Sequence, residues 1–244
     1  MAHSKSSDSK DTIKTIIIAI LIALGIRTVA YEPFNIPSGS MIPTLLIGDY
    51  LFVSKFSYGY SRYSLPFGLP LIPDRIFFDE PERGDVMVFK LPSDNQTDYI
   101  KRIIGLPGDK VQLKDSILHI NGKPVKREKA DDFISRDEFG NYSRVPRYLE
   151  TLPNGRKHYI LEVTQDTMFD NTPVYTVPQG HYFAMGDNRD RSKDSRFLNE
   201  VGFIPRENLV GRAEFLFFSV NGSVWEFWKW SKTLRFSRFF QGLE

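Results

Sequence analysis

From Ile13 to Ala30 the chain is apolar except for Lys14, Thr15, Arg27 and Thr28, and a soluble fold has little use for such a segment. A helix lying half-buried on a core needs a polar face, and Ile16–Leu24 offers none. The uncharged stretch Thr15–Ile26 has 12 residues, the length of a secretory signal's apolar part. Ile13 to Ala30 is 18 residues, about 27 Å of helix at roughly 1.5 Å per residue. That matches a bilayer core of roughly 30 Å once Lys14 and Arg27 snorkel outward. Thr28-Val29-Ala30 has the small-x-small form of a signal cleavage site, but Arg27 set hard against the apolar run favours an anchor that is kept. Lys5, Lys10 and Lys14 precede the segment, and no Lys or Arg follows Arg27 until Lys55. The positive-inside rule then expects a single pass, with the N-terminus in the cytoplasm and the bulk of the chain outside. Residues 1–11 are expected to be a polar cytoplasmic tail and residues 12–31 the transmembrane anchor.

Beyond residue 48 the pattern changes to short β-branched and aromatic runs: Tyr50–Val53, Val86–Phe89, Tyr99–Ile104, Val111–Leu113, Ile117–Ile120, Tyr159–Val163, Tyr182–Met185 and Ala213–Phe218. Gly, Pro, Asp or Asn punctuate most of them, and no long helical period follows Ala30. The expected fold is mostly β, a partly closed antiparallel sheet system behind the N-terminal helix. Asn121-Gly122 between Ile117–Ile120 and Lys123–Val125 predicts a hairpin with a type I′ turn. Residues 126–158 are charged and poor in apolar runs, which suggests an insertion or subdomain rather than core. The segment from Trp225 to Phe240 mixes aromatics with Lys229, Lys232, Arg235 and Arg238, a composition suited either to a membrane surface or to covering the end of the β domain.

Thirty-two Lys and Arg against 30 Asp and Glu give no electrostatic footprint for nucleic acid. With no Cys there is no disulfide, thiol nucleophile or Cys-ligated metal. A nucleophile must be a hydroxyl, an amine or a carboxylate. The four histidines (His3, His119, His158 and His181) offer little for a Ser–His–Asp triad; only His181, after a Gly at a strand start, merits attention, and a lone strand His is usually structural. Neither G-x-S-x-G nor H-E-x-x-H occurs. A lysine base needs an apolar setting that disfavours the ammonium form. Lys101, in Asp98-Tyr99-Ile100-Lys101-Arg102-Ile103-Ile104-Gly105, has one. Alternation puts Lys101 and Arg102 on opposite faces of a strand, and by local pattern alone both snorkelling at a sheet edge is the simpler reading. In Pro37-Ser38-Gly39-Ser40-Met41-Ile42-Pro43-Thr44, two hydroxyls flank a Gly whose freedom lets a loop aim Ser40 Oγ and a backbone N–H at one point. Alone, Pro-Ser-Gly-Ser is also a common linker string.

Taken together these segments resemble bacterial type I signal peptidases, the membrane-bound Ser/Lys proteases. Pro37–Leu45 resembles the family's nucleophile motif and Gly48–Val53 the strand after it. Arg83–Phe89 with Tyr99–Asp109 resembles the lysine motif, Gly186–Arg196 the late motif, and Gly202–Pro205 through Gly211–Ala213 continues the match. The resemblance implies a β-sheet catalytic core (32–120 and 175–218) and an inserted β-rich subdomain (121–174); the aromatic-basic C-terminal tail (219–244), with membrane contact or cover of the β domain as its two readings, rests on composition and lies outside the motifs. It implies Ser40 as nucleophile, Lys101 as general base, an oxyanion hole from Ser38 and the Ser40 N–H, and Ser192 orienting the lysine. Asp187, Asp194 and Arg196 would brace the loop. It implies no metal or other cofactor, secretory preproteins as substrates, and a location in the bacterial inner membrane with catalysis on the outer, periplasmic side. Ser54 and Arg191 stand where the family more often has Asn. A non-catalytic membrane-anchored β module, and a specialised pilus or conjugation peptidase of the same family, are the alternatives.

Overall fold

A computed structural model describes residues 5–65, 68–136, 142–164 and 167–243. Helix α1 (Lys5–Val29) starts well before the apolar run. It takes in residues 5–11, expected as tail, because adding residues to a helix already nucleated costs little; residues 1–4 of that tail lie outside the described residues. From Lys10 to Val29 it is long and apolar enough to cross a membrane, and none of that stretch is buried against the rest of the chain.

The strands are β1 (Tyr31–Asn35), β2 (Asp49–Ser54), β3 (Val86–Lys90), β4 (Asp98–Gly105), β5 (Lys110–Lys114), β6 (Ile117–Ile120), β7 (Lys123–Pro124), β8 (Lys126–Lys129), β9 (Phe133–Arg136), β10 (Tyr142–Val145), β11 (Arg147–Thr151), β12 (Lys157–Leu161), β13 (Tyr175–Thr176), β14 (His181–Met185), β15 (Ile204–Pro205) and β16 (Leu209–Ser219). Seven of them form an antiparallel sheet in the order β1-β2-β16-β3-β4-β14-β15. The late strand β16 lies between β2 and β3, pairing Leu216 with Leu51 and Arg212 with Met87. The mostly-β class expected from the punctuated runs is what the chain adopts. Apolar side chains fill both faces of the curled sheet: Met41, Leu45, Leu51, Val53 and Leu216 form one cluster, and Met87, Phe89, Ile103 and Tyr182 another.

A second sheet, β13-β5-β6-β7, packs Ile104, Val111, Leu118 and Phe183 into a third cluster. Its β6–β7 hairpin turns at Asn121 (φ 53°) and Gly122 (φ 77°), the two left-handed residues of the expected type I′ turn. Between β7 and β13 the chain builds a three-stranded sheet, β12-β11-β8, and the hairpin β9–β10. This region is less peripheral than its charge suggested. Glu150, Leu152, His158, Ile160 and Leu161 are all buried, and its charges go inside because they pair: Arg127 with Glu162 at 2.5 Å, Arg189 with Glu150 at 2.5 Å.

The last residues fold back along the sheet. Phe240 N–H donates to Leu216 O at 2.7 Å, and Arg238 pairs with the buried Asp49 at 2.6 Å. Trp225, Phe227 and Trp228 project into solvent.

Candidate active site

Ser40 sits in the excursion between β1 and β2. Paired bonds close the base of that loop, with Ile36 N–H to Asp49 O and Gly48 N–H to Ile36 O, each 2.9 Å. Met41 and Leu45 have no exposed surface and anchor the loop in the core. Two apolar residues spaced one helical turn apart thus turn a Pro-Ser-Gly-Ser string into a fixed turn. Ser40 itself is only 8% exposed.

Lys101 comes from β4, an interior strand between β3 and β14. The edge-strand reading of Lys101 and Arg102 is therefore corrected: both are buried, at 4% and 1% exposure, because β14 covers the flank that local pattern left open. Lys101 Nζ lies 2.8 Å from Ser40 Oγ and donates to Ile100 O at 2.8 Å. It makes no ion pair among the described residues. Burial pushes its amine down to about 8, against a smaller upward pull from Asp194 and Asp187. A hydroxyl and an amine so placed can exchange a proton near neutral pH. Ser38 Oγ is 3.5 Å from Ser40 Oγ.

The loop after β14 holds the serine turn from behind. Asn188 N–H donates to Ser40 O at 3.1 Å, and Asn188 Nδ2 to Gly39 O at 3.0 Å. Gly186 packs so closely on Ser40 O and Ser192 Oγ that a Cβ there would collide with both. Arg102 grips Asp187 through Nε and Nη2 at 3.0 and 2.9 Å, while Thr44 of the serine loop donates to the same carboxylate at 2.5 Å. Asp194 and Arg196 form a second two-bond pair, and Asp194 also accepts from Gly186 N–H at 2.9 Å. Burial alone pushes both aspartates up, but the guanidiniums of Arg102 and Arg196 overcome it and hold them below the usual carboxylate range. Beneath this lies Glu150 on Arg189, whose charge outweighs burial and depresses the glutamate strongly.

Of the residues singled out in the sequence, Ser38, Ser40, Lys101, Asp187, Asp194 and Arg196 converge here. Ser192 is buried beside them against the Asp194 carboxylate, which its hydroxyl helps hold low, and the Lys101 bonds go to Ser40 and Ile100. His181 lies elsewhere, 2.9 Å from Gln179 O; His3 is outside the described residues. His158, which the sequence places in the charged 126–158 segment, is buried 3.4 Å from Glu150 and 4.0 Å from Asp187. Burial, then Arg102, pushes its imidazole below the ordinary value. Thr44, Arg102, Asn188 and the Glu150–Arg189 pair went unrecognised. Only Arg102 left a sign, as a cation inside an apolar strand.

Ser40, Ser38 and Lys101 open on a cleft of about 500 Å³, floored by Ile36, Val88 and Ile100. A larger cavity, about 620 Å³, lies at the foot of α1 and contains neither Ser40 nor Lys101.

A hydroxyl and an amine held together in a cleft, on a curled β scaffold, are the equipment of a hydrolase. The family described as signal peptidase, peptidase S26, matches residues 9–218, including the 121–174 segment that no sequence motif covered. The signal peptidase I of Rickettsia typhi is 43% identical over 243 residues, 92% of this chain and 90% of that protein. That of Rickettsia canadensis is 42% identical over 262 residues, 98% and 97% of the two chains. A crystal structure of a signal peptidase I from Enterococcus faecalis, at 30% identity and a TM-score of 0.32, covers 55% of this chain and 97% of that one. The chain belongs to the peptidase S26 signal peptidase family and is a serine endopeptidase.

Proposed function

We propose that this chain is a membrane-anchored Ser/Lys endopeptidase that removes signal peptides from secretory preproteins. The observation that carries this reading is the 2.8 Å contact between Ser40 Oγ and a buried lysine amine with no ion-pair partner among the described residues. Neutral Lys101 takes the Ser40 proton as the oxygen attacks the scissile carbonyl. The ammonium so formed protonates the leaving amine, and water then deacylates Ser40 with Lys101 again as base. Ser38 Oγ and the Ser40 N–H receive the developing oxyanion. Ser192, buried beside the dyad, orients the lysine. Asp187, Asp194 and Arg196 brace the loop.

The bare apolar surface of α1 supports a single-pass anchor, with the N-terminus cytoplasmic and the core (32–120 and 175–218) on the periplasmic face of the inner membrane. Residues 121–174 are the inserted subdomain. Exposed Trp225, Phe227 and Trp228 in the 219–244 segment suit the headgroup region of a bilayer. The test is to incubate the detergent-purified protein with a secretory preprotein and locate the cut by mass spectrometry. A single cut after a small-x-small site, lost in Ser40→Ala, is expected. No cut in several preproteins, in lipid as well as detergent, or a cut that survives Ser40→Ala, overturns the proposal.

A further inference from the structure

Three arginines lie within eight residues of the loop behind Ser40, and two of them are spoken for. Arg189 is buried on Glu150 and Arg196 is buried on Asp194. Arg191 is exposed, and among the described residues its guanidinium has neither a hydrogen bond nor an ion pair. It lines the same cleft as Ser38, Ser40 and Lys101. Apart from Lys101, the other charges lining that cleft are neutralised locally: Asp98 pairs with Lys90 at 2.8 Å, and Lys193 pairs with Glu200. The cleft therefore presents an apolar floor and one uncompensated cation at its rim.

We propose that Arg191 is a specificity-determining residue that favours substrates carrying an acidic side chain, Asp or Glu, within a few residues of the scissile bond. This rests on the reading of the cleft as a peptidase site. The apolar floor takes the small side chains next to the cut, while a carboxylate passing the rim meets a guanidinium that can bind it through two parallel N–H bonds. The pair forms in water-exposed surroundings, so its effect on kcat/KM is about two- to fivefold. It weakens as salt screens it.

The experiment uses the full-length protein in detergent and one preprotein, with Glu or Gln placed singly at each of the three positions on either side of the cut. The readout is the Glu-to-Gln ratio of kcat/KM for the wild type, Arg191→Gln, Arg191→Glu and Lys193→Gln, at low and high salt. A ratio removes differences in the amount of active enzyme. The expected result is a ratio of about two to five at one or more positions in the wild type, near unity in Arg191→Gln and inverted in Arg191→Glu. A ratio near unity at every position overturns the proposal, as does a preference that persists in Arg191→Gln or disappears only in Lys193→Gln. If the wild type cuts neither the Glu nor the Gln substrate, the peptidase reading fails and this inference with it; cleavage of both at equal rates leaves that reading intact and refutes the role of Arg191 alone.

Discussion

Lys101 and Arg102 are adjacent on one strand and equally buried, yet their surroundings are opposite. The Arg102 side is saturated: the guanidinium makes two bonds to Asp187 and one to Gly84 O at 2.7 Å, and Thr44 adds a third bond to the carboxylate. The Lys101 side has a hydroxyl, one carbonyl and the Tyr99 ring 5.2 Å away, with no carboxylate among the described residues paired to the amine. Burial therefore acts on the lysine almost unopposed and brings it to about 8. A buried cation with a full complement of anionic partners is fixed and structural. One denied such partners gives up its proton readily, which is what a general base requires.

The contrast can be broken most severely at Lys101. Lys101→Arg is expected to lose about 10³–10⁴-fold in kcat, as much as Lys101→Ala, because a guanidinium cannot deprotonate in a protein. Appreciable turnover in Lys101→Arg would mean that the charge, not the base, is what the site needs. Next in size is Ser38→Ala, with a loss of about 100–1,000-fold if its hydroxyl donates to the oxyanion; an unchanged single-turnover rate removes it from the site. On the saturated side the effect moves from rate to stability. Asp187→Asn strands a buried guanidinium and is expected to cost about 3–5 kcal/mol in denaturant unfolding, while a loss below 1 kcal/mol would show that Arg102 finds another partner.

The smallest effect has the opposite sign. Lys101→Met replaces a poorly compensated buried amine with an apolar side chain of similar length and is expected to gain on the order of 1–3 kcal/mol at pH 7. The amine's pKa is lower in the folded state than in the unfolded one. The penalty is therefore full below about 8 and fades as pH rises toward the ordinary lysine value, and the gain fades with it. A destabilised Lys101→Met would show that the amine's two hydrogen bonds outweigh its desolvation.

How much of this was legible in the sequence follows the same division. The strands β2 to β6, β14 and most of β16 announce themselves by β-branched runs between turn residues, and the Asn121-Gly122 hairpin by its need for two left-handed residues. The motifs around Ser40 and Lys101 are what single these two residues out; local pattern alone favours an edge strand for Lys101. What a linear reading could not supply is closure: that β16 slots between β2 and β3, and that β14 covers β4. The Tyr159–Val163 run flags β12, but strands β8 to β11 read as a charged periphery because the partners of Arg127 and Glu150 lie 35 and 39 residues away, at Glu162 and Arg189. Strands β13 and β15, two residues each, are too short to show a period, and β1 has no β-branched residue and carries Pro33 at its centre.

The direct test of the central claim is the pH dependence of kcat/KM on a fixed preprotein. Below about 8 the Lys101 ammonium cannot accept the Ser40 proton, so the rate is expected to fall about tenfold per pH unit on the acid side and to level off above a midpoint near 8. A midpoint near 6.5 would point to a histidine base. A profile flat from pH 6 to 9 would contradict a lysine base altogether.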